Sequence, residues 1–331
     1  MGRLLQSNYE RLLTGMKVGL VGLGKAGQSL FYELVQNPEI HKIVIFDTDE
    51  TQYRYFPTSR GNQIEIAANR NFLDSSFDLL IIATPDNLHL DYLLEAVSLN
   101  IPAFVEKPIV SSHEQLILLR NMIASNPHYK FTTNLILRTS PLFNALRDSY
   151  NSGFLGTRVF IEGKYLYGRW EKLQRGWRGY DGYSVTLGGL IHLIDICCYI
   201  TSNYKYAISL FEKRITNKEP IHVNDFSNIV MSSDNSGIHT LSTTFSAETD
   251  HRRDLSIFSD FGYIEIKGTQ VSANMPPGWN FEEIQLLPPS KGALLGEFIR
   301  YLSRGDLEAG HFPKASEVLS VVEMCLGKST L

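Results

Sequence analysis

The stretch Met16–Leu30, MKVGLVGLGKAGQSL, decides how the rest of the chain is read. Val18, Leu20 and Val21 form a short apolar run that leads into Gly22, Gly24 and Gly27, spaced G-x-G-x-x-G, and Ser29-Leu30-Phe31 then opens a helical pattern. That order predicts a strand, a tight turn and a helix N-terminus. Gly22 permits the turn, Gly24 lets a pyrophosphate reach the backbone, and Gly27 lets helix and strand pack closely. Leu23, Lys25 and Ala26 complete the cradle. The N–H groups at the start of the helix, at the positive end of its dipole, face the phosphates. A second apolar run, Ile43–Phe46, ends at Asp47, where an acid can hold the ribose hydroxyls of a dinucleotide. Asp47 also repels a 2′-phosphate, and the following TDETQY brings no immediate arginine, so NAD is expected over NADP.

Outward from this turn, short β-rich runs alternate with longer helical segments. Strands are expected at 17–21, 42–47, 79–84, 103–106 and 130–135, and helices at 28–36, 88–99 and 112–124. Such alternation means βαβ units and a parallel sheet with right-handed crossovers. After Pro141 the texture changes to longer alternating runs at 157–165, 206–213, 224–232, 238–246 and 263–266, read as a largely antiparallel sheet. A strong helix at 187–199 sits among them, and two more close the chain at 293–302 and 315–326. The expected fold is α/β, in two domains. Residues 1–139 form an N-terminal dinucleotide-binding domain, with 1–15 as an extension. Residues 140–331 form an α+β domain with a large, mainly antiparallel open sheet, its terminal helices packing back on the first domain.

The 331 residues suffice for two cores. A formal charge of −4 argues against nucleic acid or an anionic membrane as partner, and no apolar run is long enough to span a bilayer. The opening MGRLLQSNYERLLTG reads as a short amphipathic helix and not as a secretory leader, which points to the cytoplasm. Cys197, Cys198 and Cys325 suggest buried thiols in a reducing compartment, with neither a disulfide framework nor a metal site.

Ligands of open parallel sheets bind beyond the carboxyl ends of the strands. One such end carries Ala83-Thr84-Pro85-Asp86-Asn87-Leu88-His89, where Thr84, Pro85 and His89 can line a cofactor's ribose and nicotinamide. Another carries Glu106-Lys107-Pro108. A lysine directly after a buried strand shifts its pKa by desolvation and can hydrogen-bond a substrate hydroxyl, so Lys107 suits proton transfer.

Together the glycine turn, Asp47, ATPDNLH and EKP resemble the glucose-fructose oxidoreductase and inositol dehydrogenase family. The resemblance implies an NAD(P)-dependent enzyme with a Rossmann domain followed by an α/β domain, whose open sheet often serves in oligomer contacts. It implies that Lys107 contributes to catalysis, that Glu106 and Pro108 shape its approach to the nicotinamide, and that Pro108 follows a cis bond. In LGGLIHLIDICCYI, His192 and Asp195 share a helix face, with Gly188 and Gly189 allowing close approach. The family pattern places a proton-handling histidine at His192 and an acid at Asp195. Many family members also carry an aspartate one turn before the histidine, where this chain has Gly188.

Upstream, Tyr165 stands just before the stretch YGRWEKLQRGWRGYDGYS, which gathers Tyr167, Arg169, Trp170, Arg175, Trp177, Arg178, Tyr180 and Tyr183 close together. Aromatic faces stack on sugar rings, and arginine pairs with carboxylate or phosphate. This stretch also resembles a subgroup acting in surface-polysaccharide and nucleotide-sugar synthesis. Tyr167, Arg169, Trp177, Arg178 and Tyr183 are therefore expected to bind substrate, together with Asp195 and with Asn134 and Arg138 at the entry to the second domain. Lys107 and His192 are the expected acid/base pair. The expected activity is hydride transfer with NAD at a secondary hydroxyl of a sugar, cyclitol or nucleotide sugar. The alternatives are an NAD-retaining enzyme that oxidises its sugar transiently to enable elimination or hydrolysis, and a non-catalytic NAD-binding regulator. A homodimer or homotetramer is expected, because an antiparallel sheet exposes one face.

Overall fold

In the computed structural model, residues 15–55, 63–174, 176–179, 182–219, 221–276, 290–305 and 310–331 are described. The chain forms two compact units. Unit 1 comprises Met1–Val110, Ile117–Asn134 and Ser290–Ala315, and unit 2 comprises Ser111–Leu116, Leu135–Pro289 and Ser316–Leu331.

Unit 1 holds six parallel strands: β1 (Met16–Val21), β2 (Ile40–Phe46), β3 (Gln63–Ile66), β4 (Leu79–Ile82), β5 (Ala103–Val105) and β6 (Phe131–Thr133). Their order across the sheet is β3-β2-β1-β4-β5-β6. The chain therefore reverses direction across the sheet between β1 and β4, the switch point where such sheets take their ligands. Strands covered on both faces read as nearly unbroken apolar runs, and β4, with the sequence LLII, is buried at every position. Helix Lys25–Gln36 buries Gly27, Leu30, Phe31 and Leu34, the i, i+3, i+4, i+7 stripe of an amphipathic helix. That stripe joins Leu20, Ile43, Ile81 and Phe104 in one core. Leu294, Leu295, Phe298 and Ile299 of helix Ala293–Arg304 belong to the same core.

Unit 2 holds seven strands: β7 (Val159–Leu166), β8 (Ala207–Lys213), β9 (Phe226–Ser233), β10 (Gly237–Thr244), β11 (Arg252–Ser259), β12 (Gly262–Lys267) and β13 (Gln270–Asn274). The order is β13-β12-β11-β7-β10-β9-β8, antiparallel throughout except for the parallel pair β7–β10. One face packs on helix Ile191–Thr201, every residue of which is buried. A side chain at Gly163 of β7 would press on Leu193 of that helix and Leu241 of β10. On the other face Ile238, Phe160, Phe258 and Tyr263 pair directly across β10, β7, β11 and β12, and all four are exposed.

Three strands escape the sequence reading, each for a local reason. β3 is an edge strand with Gln63 and Glu65 in its four residues, β11 opens on Arg252-Arg253-Asp254, and β13 is a polar edge, QVSAN. The helix expected at 187–199 starts as a π-helical turn, Thr186–Leu190, before the α-helix Ile191–Thr201. The amphipathic reading of the first fourteen residues falls outside the described residues. Among the described residues no helix is long and apolar enough to cross a membrane.

Candidate functional site

The glycine turn is built as its spacing requires. Gly22 has a φ of +88°, and a Cβ there would stand 2.5 Å from the Ala83 carbonyl oxygen. A Cβ on Gly27 would strike the Gly22 carbonyl. Gly24, at the N-cap of helix Lys25–Gln36, has nothing within 4 Å of the place its side chain would take, and no side chain caps the helix. The first helical N–H groups are thus left for an outside acceptor. Asp47, just past β2, accepts from Leu23 N at 2.5 Å and from Asp49 N at 2.8 Å, which fixes the carboxylate beside the turn.

The ends of β4, β5 and β6 lie in the same unit. His89 is 1% exposed, with Nδ1 2.6 Å from the Pro108 carbonyl oxygen and Nε2 2.8 Å from that of Thr84. Burial pushes its pKa down, while the two carbonyls oppose the shift. A neutral imidazole donates through one nitrogen only, so the ring holds one carbonyl by a hydrogen bond at a time and keeps the two loops together. The Lys107–Pro108 peptide is cis. Glu106 accepts from Asn134 Nδ2 at 2.6 Å, and the same amide nitrogen donates to the Lys291 carbonyl at 3.1 Å. Burial raises the Glu106 pKa, against the pull of Asn134 and Lys107.

Two buried atoms here, Thr84 Oγ1 and Asn134 Oδ1, have no hydrogen-bond partner. A buried polar atom left unpaired is costly and calls for a ligand or water. With the open space at Gly24, the uncapped helix start and the Asp47 carboxylate, these orphan atoms fit a dinucleotide lying along the strand ends. Asn134, expected to meet substrate, joins Glu106 here through its amide nitrogen.

In unit 2, His192 stands in the first turn of helix Ile191–Thr201, 5% exposed, with its ring edge-to-face on Tyr165 at 6.4 Å. A Cβ at Gly188 would collide with the Tyr183 hydroxyl and lie 2.7 Å from its Cζ. A Cβ at Gly189 would lie 2.7 Å from ring carbons of both Tyr165 and Phe245. The space one turn before His192 therefore holds a phenol from Tyr183. Tyr167 stacks on Phe245 at 4.2 Å and accepts from Lys172 Nζ at 2.9 Å. Tyr165 Oη lies 2.9 Å from His251 Nε2, and burial pushes its pKa up to about 12. Arg169 is exposed, with its guanidinium 5.9 Å from the Tyr167 ring, and Arg178 is half-buried. The Trp177 side chain, Arg175 and Tyr180 lie outside the described residues.

Arg138 and Asp195 take a different place from the substrate contact expected of them. They are 1% and 0% exposed, and the guanidinium reaches Asp195 Oδ1 from Nη2 at 2.6 Å and Oδ2 from Nε at 3.1 Å. Nη1 meets Glu317 Oε2 at 2.6 Å, and Tyr204 Oη lies 3.0 Å from Nη2. Each charge is neutralised by the other within unit 2, which leaves the pair a packing role. Helical spacing alone could not show this, because Arg138 comes from a separate segment. His251, Phe245 and Arg253 were not singled out in the sequence, where HRRD lies between the strands expected at 238–246 and 263–266. The three cysteines are buried free thiols, and among the described residues no cluster of His, Cys, Asp or Glu could hold a metal.

Residues 16–129 match the GFO/IDH/MocA oxidoreductase family, described by its NAD-binding Rossmann fold, and residues 143–270 match the GFO/IDH/MocA C-terminal domain. The chain belongs to this family. It is an NAD-binding oxidoreductase. No curated protein matches the sequence significantly. Among solved structures, the WlbA dehydrogenase from Chromobacterium violaceum, crystallised with NADH and UDP-GlcNAcA, is 14% identical. Its TM-score is 0.78 over 95% of this chain and 92% of that one. An oxidoreductase from Agrobacterium radiobacter, in complex with NAD+, L-tartaric acid and magnesium, has 18% identity and a TM-score of 0.76, covering 95% of each chain. The myo-inositol dehydrogenase of Lactobacillus casei, with NAD(H) and myo-inositol, has 14% identity and a TM-score of 0.71 over 95% and 93%. At these identities the likeness is one of fold.

Proposed function

We propose that this GFO/IDH/MocA protein is a dehydrogenase that prefers NAD to NADP and acts on a secondary hydroxyl of a sugar, cyclitol or nucleotide-linked sugar. The observation that carries the cofactor preference is the Asp47 carboxylate, fixed at the glycine turn by the Leu23 N–H, where a 2′-phosphate would meet like charge. When bound, the nicotinamide supplies hydride transfer. The turn at Gly22–Gly27 holds the pyrophosphate, with Lys25 and Ala26 beside it. Thr84, Pro85 and Glu106 line the cofactor's far end, and His89 acts on it by fixing the Thr84 and Pro108 carbonyls.

Lys107 and His192 are the groups proposed to manage the proton of the reacting hydroxyl. Tyr167, Arg169, Trp177, Arg178 and Tyr183 bind the rest of the substrate, and the aromatic and arginine stretch suits a sugar unit used in surface-polysaccharide synthesis. On this reading residues 1–139 serve the cofactor and 140–331 the substrate and assembly, except that helix Ala293–Arg304 belongs to the core of unit 1. The row Ile238, Phe160, Phe258 and Tyr263 suits a homodimer or homotetramer. Three buried, unlinked thiols accord with a cytoplasmic protein.

The test is NADH fluorescence titration followed by absorbance assays with NAD+ and either myo-inositol or a UDP-linked sugar. Binding with NADH formation is expected, with NADP at least tenfold weaker. Lys107→Ala should lower kcat by about 10²–10⁴ with NADH affinity intact. Near-normal turnover in that variant removes the lysine from catalysis, and absence of NADH binding ends the proposal. Turnover without net NADH favours the cofactor-retaining alternative.

A further inference from the structure

Arg253 sits where an arginine is costly. Side chains alternate along a strand, so Arg253 shares the covered face of β11 with buried Leu255 and Ile257, while Arg252 beside it points outward and pairs with Asp254 at 3.0 Å. Cross-strand, Arg253 is the direct partner of Tyr165, and its guanidinium lies 4.8 Å from that ring. A cation over an aromatic face recovers only part of the lost hydration. Arg253 Nε is buried and has no hydrogen-bond partner.

Two further cations converge on the same aromatic pair. Lys172 donates to Tyr167 Oη at 2.9 Å, and Arg169 stands over the Tyr167 ring. Gly168, with a φ of +58°, packs against the Thr249 carbonyl, which pins the loop carrying Arg169 beside the His251–Arg253 segment. Among the described residues, none of Arg253, Arg169 and Lys172 has a carboxylate partner. Elsewhere in this unit, by contrast, Arg214 pairs with Glu219, Lys218 with Glu248 and Lys267 with Glu265. In a chain of net charge −4, a group of cations with no carboxylate partner around two edge-to-face tyrosines is a preformed seat for an anion. Tyr165 also carries His192 on its ring edge, so this seat and the proposed proton-handling histidine share one side chain.

We infer that the substrate carries an anionic group, a carboxylate or a phosphate, and that Arg253, Arg169 and Lys172 around Tyr165 and Tyr167 receive it. Arg253 supplies the bidentate contact from the sheet, and Arg169 and Lys172 close on it from the loop. This rests on the dehydrogenase reading only for the word substrate, because the anion seat stands on its own geometry.

The test uses the full chain saturated with NADH and compares three probes by calorimetry: D-glucuronate, UDP-glucose and neutral D-glucose. At least one anionic probe should bind ten times more tightly than glucose. Arg253→Gln and, separately, the exposed Arg169→Gln should each reduce that preference about tenfold or more while NADH affinity stays unchanged. Glucuronate alone preferred identifies a sugar acid, and UDP-glucose alone preferred identifies a diphosphate. Equal affinities, no binding of either anionic probe, or full preference in both variants would overturn the inference. Tight anion binding without any hydride transfer would instead sink the dehydrogenase reading and leave the anion seat standing.

Discussion

Gly24 and Gly188 each lie beside the first turn of a helix that carries part of the candidate site, yet the space left by their missing side chains is used in opposite ways. At Gly24 that space is open, whereas at Gly188 it is filled by the Tyr183 phenol. The contrast runs through both units. Unit 1 assembles its site from backbone: N–H groups at the glycine turn, and the Thr84 and Pro108 carbonyls around His89. Unit 2 assembles its site from side chains: edge-to-face tyrosines, one of them stacked on Phe245, a histidine and cations. A backbone site serves a ligand common to a whole family, while a side-chain site can be rewritten one residue at a time.

The largest effect should come from Gly27→Ala. Its new methyl meets the Gly22 carbonyl, and backbone moves less readily than side chain, so the loss should reach about 3 kcal/mol in urea unfolding. Acid should come next, through unit 2. His239 is buried against Tyr206, 3.2 Å from its hydroxyl, and burial lowers its pKa to about 4. The unfolded state then binds more protons between pH 6.5 and 4, so stability rises with pH across that window. Acidification from pH 7 to 5 should remove about 2 kcal/mol, and His239→Gln should flatten the melting temperature over that range. His89, shifted in the same direction, adds to the slope.

Gly24→Val separates the two uses of glycine most directly. With open space at the position, unfolding should change by less than about 0.5 kcal/mol. NADH affinity should fall tenfold or more, about 1.4 kcal/mol. An unchanged affinity would erase the contrast between the units. Gly188→Ala should cost less stability than Gly27→Ala. The obstacle is a side chain, and helix propensity returns up to about 1 kcal/mol, so a net cost near 1 kcal/mol is expected. The displaced Tyr183 should nevertheless lower kcat more than it raises KM.

Most of unit 1 was legible because parallel strands buried on both faces write themselves as apolar runs, and because Gly22, Gly24, Gly27 and Asp47 follow from phosphate and ribose geometry. The candidate site in unit 2 was less legible. Its glycines are explained by rings that lie elsewhere in the sequence, such as Phe245 against Gly189. Arg138 and Arg253 look alike in a string of letters, but one is saturated by Asp195 and Glu317 and the other meets the ring and hydroxyl of Tyr165. Local spacing cannot distinguish them, because both outcomes depend on partners supplied by distant segments. β11 was missed for the same reason: Arg253 breaks the apolar alternation on the face that Leu255 and Ile257 bury.

Helix Ala293–Arg304 gives the chain a temporal order. Leu294, Leu295, Phe298 and Ile299 fill the core that Leu30, Phe31 and Phe104 begin, and Thr132 Oγ1 is held by the Pro313 carbonyl. On the ribosome, the nucleotide-binding unit therefore waits with an open core while the whole of the second sheet is being made. A polypeptide released after the first 139 residues would expose that apolar surface to solvent and aggregate. A chain stopped before Ala293 would lack all four of the side chains that this helix adds to the core.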